Sequence, residues 1–229
     1  MPIAYIRTPF PEKFGIPRQP GLVDASGVVE MQPDFDKPEL FDGLETFSHI
    51  WISFIFHQCI GQGWRRRVRP PRLGGNQSMG VFATRSPFRP NHLGLSVVRL
   101  ERIAVAQGRV RLHVRGVDLL DGTPVVDIKP YLPYVDRVED AAGGFAFERP
   151  ESRLEVVFAL SAENQLRQLP GGKTLKSLIE QLVALDPRPA YQKTTATDRS
   201  YGMHLENCNI RWRVEAGRAT VIAVEVMGQ

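Results

Sequence analysis

Three segments of this chain hold the residue types that could do chemistry. Between Met79 and Ser96 the sequence places Arg85 and Arg89 among Pro87, Pro90, Asn91 and two further glycines after Met79, with apolar runs on either side. Proline fixes φ and removes an amide donor, so this stretch predicts a stiff loop that stays out of a sheet and displays its guanidinium groups. An ordinary surface connection with solvated arginines explains it equally well. Just upstream, Arg65, Arg66, Arg67, Arg69 and Arg72 crowd beside Trp64, Pro70 and Pro71. Guanidinium forks grip phosphate oxygens and stack on bases, which favours a nucleic-acid contact over a merely solvated basic face.

The second segment runs from Gly116 to Tyr131. Asp121-Gly122 makes a turn by its own chemistry, but Asp118, Asp127, Lys129 and Tyr131 around that turn form a polar cluster at a sheet end, where ligands often bind. The third is Asp186-Pro-Arg-Pro-Ala-Tyr-Gln192. It reads either as a proline-stiffened helix stop or as a rigid display of Arg188, Tyr191 and Lys193 for an unpaired base and its phosphate. The residues alone leave both readings open.

Several common sites are absent from the pattern. Gly61-Gln-Gly63 has a dinucleotide-like spacing, yet Trp64-Arg-Arg-Arg67 follows where a small residue and a helix are required. There is no phosphate-loop lysine motif, and the five histidines are too scattered for a metal site. A triad drawn through Ser86, His92 and Asp118 lacks a nucleophile elbow.

These side chains need a scaffold, and short β-branched or aromatic runs supply one. Residues 3–8, 27–31, 47–56, 79–84, 95–103, 110–114 and 124–128 read as strands separated by Gly, Pro and Asp. Ala106-Gln-Gly-Arg109 reads as a hairpin loop, and Pro38 to Leu44 as a short helix. Strands at this spacing predict a closed or nearly closed sheet. After Pro150 the texture changes: a strand over 155–160, a polar helix capped by Ser161, and an amphipathic helix through Leu175, Leu178, Ile179, Leu182, Val183 and Leu185 that Asp186-Pro187 stops. Residues 203–215 and 219–227 read as one hairpin. The expected architecture is mainly β, an antiparallel barrel over 1–150 with a small α+β domain over 151–229.

The 229 residues, 42% of them hydrophobic, suffice for a real core. The net charge is a modest +4, but arginine far outnumbers lysine. Cys59 and Cys208 stand apart with no paired spacing, which predicts neither disulfide framework nor zinc and fits a reducing cytoplasm. The amino terminus has no secretory leader pattern. The most apolar run, Ile50 to Phe56, falls far short of the roughly 20 residues a bilayer requires.

Taken together, Phe14-Gly-Ile-Pro-Arg-Gln-Pro-Gly-Leu22, Phe47-Ser-His-Ile-Trp51 with His57-Gln58, Thr84 to Ser96, Asp118 to Tyr131 and Asp186 to Tyr191 resemble the β-barrel S-adenosylmethionine-dependent methyltransferases that modify N6-threonylcarbamoyladenosine beside the tRNA anticodon. The resemblance covers nearly the whole chain. It implies a non-Rossmann barrel, a homodimer, a tRNA anticodon-loop substrate, and neither membrane nor metal. Carried over residue by residue, it implies cofactor contacts at Pro17, Arg18, Gln19, His57, Gln58, Arg85, Leu95, Asp118, Leu119, Leu120 and Asp121. Asp118 and Asp121 would face the cofactor's positive charges and Arg85 or Arg18 its carboxylate. Asp186 as proton acceptor and Tyr191 as base-stacking group are the expected catalytic pair. Arg65, Arg66, Arg67, Arg89, Arg188 and Lys193 are the expected tRNA contacts, with Arg89 alternatively bracing its loop. A non-catalytic binding module and a methyltransferase for another acceptor are the competing readings.

Overall fold

A computed structural model describes residues 1–151, 154–188 and 199–228. They divide into two compact units, Met1–Thr8 with Arg18–Glu148 and Pro9–Pro17 with Arg149–Gln229. The strap Pro9–Pro17 therefore groups with the second unit, although it falls inside the span read from sequence as one domain.

The first unit is a closed barrel. Its strands are β1 (Ala4–Arg7), β2 (Ser26–Met31), β3 (His49–Ile55), β6 (Leu93–Ala106), β7 (Arg109–Arg115) and β8 (Thr123–Pro130), in the spatial order β1-β2-β7-β6-β3-β8. All neighbours are antiparallel, and β8 returns to β1, so no edge is left to template aggregation. Alternation fills the core: Ile50, Ile52 and Phe54 of β3 are buried between less covered neighbours, as are Leu112 and Val114 of β7. Two residues join β6 to β7, Gln107 at φ 55° and Gly108 at φ 72°, the left-handed pair a tight hairpin demands. A two-stranded ribbon, β4 (Arg67–Val68) with β5 (Met79–Gly80), adjoins the barrel sequence.

The second unit carries the sheet β10-β11-β12-β9, built from β9 (Glu155–Phe158), β10 (Ser200–Leu205), β11 (Cys208–Glu215) and β12 (Arg218–Val226). Only β9 runs parallel to its neighbour, because two helices intervene. These are α2 (Leu160–Gln168) and α3 (Gly172–Ala184), numbered after the single turn α1 (Pro133–Asp136) that follows β8. The buried residues of α3, Leu175, Leu178, Ile179, Leu182 and Val183, follow the three-and-four spacing of its sequence. The expected fold class, a mainly β chain with an antiparallel barrel and a small α+β unit, is the one observed.

Three local expectations fail for identifiable reasons. The strand expected over 79–84 stops at Gly80, and Val81–Ala83 winds into a 3-10 turn closed by the Thr84 amide and hydroxyl on the Val81 carbonyl. Ser161 does not cap its helix: α2 begins at Leu160, and the Ser161 hydroxyl donates instead to the Ile222 carbonyl at 3.0 Å. Residues 203–215 do not form one strand, because the chain reverses at Glu206, φ 52°, and Asn207.

Candidate functional site at one rim of the barrel

Antiparallel order gathers one set of strand ends. Register pairs Arg7 with Val28, Ser26 with Arg115, Ile55 with Leu93 and Ile6 with Thr123. The ends of β1, β3 and β7 and the starts of β2, β6 and β8 thus form a single rim. Every connection that the sequence marked for a cofactor in the first unit opens there: Arg18 and Gln19 before β2, His57 and Gln58 after β3, Arg85 before β6, and Asp118 to Asp121 between β7 and β8. Pro17 belongs to the second unit, where it is buried.

Hydrogen bonds tie these segments into one locus. The Arg85 guanidinium donates to the Gln19 side-chain oxygen. The Ser96 hydroxyl donates to Asp118 Oδ1 at 2.7 Å. Burial pushes the Asp118 carboxyl up to about 6, against the opposing pull of the Ser96 hydroxyl, a backbone amide and the Arg85 charge. Asp118 is consequently a shielded carboxylate within the field of Arg85, carried by the connection between β7 and β8.

Asp121 plays a different part. Its Oδ1 accepts from the Thr8 amide at 2.9 Å, and Arg7 lies 3.6 Å from its other oxygen. The Thr8 hydroxyl donates to the Leu119 carbonyl at 2.8 Å, while the Leu120 carbonyl accepts from Thr123. Leu119 itself is buried. Asp121, Leu119 and Leu120 therefore shape the turn that presents Asp118.

The loop before β6 is braced internally. Arg89 donates to the Val81 and Thr84 carbonyls at 3.3 and 2.7 Å, so its guanidinium holds the loop together. His92, buried at φ 50°, has Nδ1 3.0 Å from the Pro87 carbonyl and offers its own carbonyl to the Phe56 amide. That bond anchors the 3-10 turn His57–Gln62 to the loop. With His92 and Asp118 so engaged, no Ser86-His92-Asp118 triad forms. Leu95 is 54% exposed and points away from the face of β6 that carries Ser96. A side chain at Gly94 would run into the Phe54 ring, its Cβ 2.3 Å from the nearest ring carbon, so β3 and β6 meet closely at the rim.

The arginine cluster splits in two. Arg65 lies 4.1 Å over the Phe88 ring, Arg67 donates twice to Ser78, and Arg72 reaches the Ala146 and Glu148 carbonyls. Arg66 and Arg69 are exposed, and among the described residues their side chains have no hydrogen-bond or ion-pair partner.

In the second unit, Asp186 and Arg188 are 4% and 7% exposed and bind each other through two contacts, Nε to Oδ1 at 2.7 Å and a terminal nitrogen to Oδ2 at 3.1 Å. A carboxylate gripped by a buried guanidinium is a poor base, and a buried guanidinium is out of reach of a phosphate. The arrangement speaks against both roles expected for this pair. Tyr191 and Lys193 lie outside the described residues.

Ser96, Thr8 and Gln19's bond to Arg85 are the site features that sequence reasoning did not foresee. Ser96 left one signal: it occupies an inward position in the row with Val98 and Leu100, where an unpaired hydroxyl would be costly.

Residues 5–137 match the tRNA-methyltransferase O N-terminal domain, and residues 151–227 the TrmO C-terminal domain. The chain belongs to the TrmO family. It is 46% identical over 225 residues to the tRNA (adenine(37)-N6)-methyltransferase of Escherichia coli K12, covering 97% of this chain and 96% of that protein. It is 50% identical over 216 residues to a Pseudomonas aeruginosa protein named as a putative S-adenosylmethionine-dependent methyltransferase, RcsF, with 92% and 90% covered. A crystal structure of TrmO from P. aeruginosa superimposes with a TM-score of 0.78 at 42% identity, over 98% of this chain and 95% of that one. No helix among the described residues is long and apolar enough to cross a membrane.

Proposed function

We propose that this protein transfers a methyl group from S-adenosylmethionine to N6 of threonylcarbamoyladenosine 37 in the anticodon loop of tRNA. The observation that carries the reading is its near full-length likeness to a tRNA (adenine(37)-N6)-methyltransferase. The chemistry of the rim agrees with it. When bound, the cofactor supplies an electrophilic methyl on a sulfonium sulfur and brings an ammonium and a carboxylate. Asp118 answers the positive charges and Arg85, with Arg18, the negative one. Gln19 holds Arg85 in place, His57, Gln58 and Leu95 complete the cofactor contacts, and the Leu119–Asp121 turn carries Asp118.

The acceptor nitrogen is acylated as a urea, so its lone pair is delocalised and its proton must leave as the methyl arrives. The protein's main task is alignment of that nitrogen behind the methyl. Tyr191 stacks on the base for about 1–3 kcal/mol. An anticodon-loop base is already unpaired, so extruding it costs little, and affinity must come from phosphates met by Arg66, Arg69 and Lys193. Arg65, Arg67 and Arg89 support the surfaces from which those groups reach.

Exposed Phe82 and Leu93 are consistent with a homodimer that covers them, which sedimentation would reveal. A tRNA substrate and two buried free cysteines fit a cytoplasmic protein. The deciding experiment incubates the protein with cofactor and either threonylcarbamoylated or unmodified tRNA, digests both and weighs the nucleosides. Methylated threonylcarbamoyladenosine is expected from the first alone. Methyl in unmodified adenosine would redirect the acceptor, and no methyl in either would leave a binding module. Tyr191→Ala should lower turnover and leave cofactor binding intact.

A further inference from the structure

We propose that the outer wall of the barrel along β6 and β7 is a docking surface for the base-paired stem that adjoins the anticodon loop, with Arg99, Arg102 and Arg109 meeting its phosphates. The proposal rests on the tRNA reading above and adds to it a surface away from the rim loops.

Register decides which side chains share this wall. Across β6 and β7, Arg99 stands opposite Arg115, Arg102 opposite His113, Ala104 opposite Arg111 and Ala106 opposite Arg109. Val110, Leu112 and Val114 alternate with the β7 members of these pairs and are buried, so the pairs themselves turn outward. Arg102 is outward only because the register shifts between Leu100 and Arg102. Without the extra residue Glu101 it would fall in the inward row of Ser96, Val98 and Leu100; a bulge has re-aimed it. Ala104 and Ala106 are too short to screen the guanidinium groups opposite them. Outward positions two residues apart on a strand are about 7 Å apart, comparable with successive phosphates of one RNA strand, and the row from Arg115 to Arg109 is about 20 Å long.

Carboxylates neutralise this wall unevenly. Arg115 binds Asp24 at 2.7 Å and Glu101 at 2.5 Å, while Glu30 is shared by Arg7 at 3.1 Å and Arg111 at 3.5 Å. Arg99 and Arg109 are exposed, and among the described residues their side chains have no hydrogen-bond or ion-pair partner. Arg102, also exposed, meets a ring instead of a carboxylate: its terminal nitrogen lies 3.3 Å from His113 Nδ1. Burial holds the His113 pKa below its ordinary value, and the Arg102 and Arg111 charges add to that effect against the pull of Glu101. The positive field along the wall is therefore only partly compensated.

Position selects the partner. Arg115 ends β7 three residues before Asp118, so the row starts at the rim where methyl transfer is placed and runs to the opposite end of the barrel. A base delivered to that rim brings its stem with it. Double-stranded RNA offers closely spaced phosphates and is recognised mainly through its backbone and shape, which suits a row of guanidinium groups with no pocket for a base.

The test measures binding of the full chain to tRNA, to the anticodon stem-loop, and to a single strand carrying the loop sequence alone. Arg99→Gln/Arg102→Gln/Arg109→Gln keeps the aliphatic parts of all three side chains, and thermal unfolding checks that it folds. It should bind tRNA and the stem-loop about tenfold or more weakly at low salt, with a slope of log affinity against log salt flatter by about 2–3, at roughly 0.9 per duplex phosphate. The loop strand should lose far less. In the wild type, adding the stem-loop should raise the His113 titration midpoint read by NMR, because phosphates offset the Arg102 and Arg111 charges. An unmoved midpoint overturns the proposal whatever the variant does, and so does an unchanged stem-loop slope or equal weakening toward the loop strand. A variant that sediments as a smaller species with its salt slope intact would make the wall a contact between copies, which also overturns it. Methyl transfer is scored separately by weighing digested nucleosides: no methyl from the wild type, with the stem-dependent slope retained, removes the methyl-transfer reading and leaves the docking wall standing.

Discussion

Asp118 and Asp186 are both carboxylates withdrawn from water, one in each unit, and they are handled in opposite ways. Asp186 is matched oxygen for oxygen by Arg188 and sealed in. Asp118 receives one hydroxyl from Ser96 and feels Arg85 only at a distance, so burial wins and its proton is held up to about 6. A charge that the fold neutralises serves the fold. A charge that the fold meets with only one hydroxyl is the better candidate to meet a ligand, and that difference is one that residue type does not show.

The comparison predicts opposite signs for stability. Removing one partner of the sealed pair, as in Asp186→Ala, leaves a buried guanidinium alone and should cost about 3–5 kcal/mol in urea unfolding. Asp118→Asn should instead stabilise at pH 8, by something on the order of 2–3 kcal/mol, the worth of the raised carboxyl pKa. The sign follows from linkage: the folded state binds this proton more tightly than the unfolded one, so the stability it contributes is present below about pH 4 and is lost as pH rises through about 6. The gain from Asp118→Asn should therefore vanish near pH 4. A variant less stable than wild type at pH 8 would show that the fold depends on this carboxylate.

The same substitution should weaken S-adenosylmethionine binding about tenfold or more, the value of a charged contact. Wild-type affinity should fall about tenfold per pH unit below about 6, as the cation's partner is protonated, and Asp118→Asn should abolish that dependence. A flat wild-type profile would remove Asp118 from the cofactor site.

How much of this was legible beforehand depends on whether the signal is local. Ile50, Ile52 and Phe54 announce their strand by alternation, Gln107-Gly108 its hairpin by left-handed tolerance, and Leu175 to Val183 their helix by period, because each depends on neighbours in sequence. The turn at Glu206-Asn207 carries no glycine or proline, and Val81-Phe-Ala83 looks like strand because apolar composition does not reveal that the Thr84 hydroxyl and Arg89 claim the Val81 carbonyl. The family motifs marked Asp118 and Asp186 alike as functional. Their difference comes from Ser96 and from the backbone reversal at Asp186, and neither long-range partners nor a positive φ before proline can be read from residue types.

The arginines repeat the distinction at smaller scale. Arg67 spends its fork on Ser78 and Arg65 lies on Phe88, whereas Arg66 and Arg69, in the same short stretch, have no such partner among the described residues. Groups engaged within the protein should add little to phosphate binding, and exposed ones should add counterion release. Each phosphate contact contributes roughly 0.7 to the slope of log affinity against log salt for single-stranded nucleic acid. Arg66→Ala and Arg69→Ala should each flatten the slope for tRNA by about that amount, while Arg67→Ala leaves it unchanged and lowers thermal stability slightly. Equal flattening by all three would mean that the Ser78 contact gives way when RNA arrives, and that partnering within the free protein does not sort these arginines into supports and contacts.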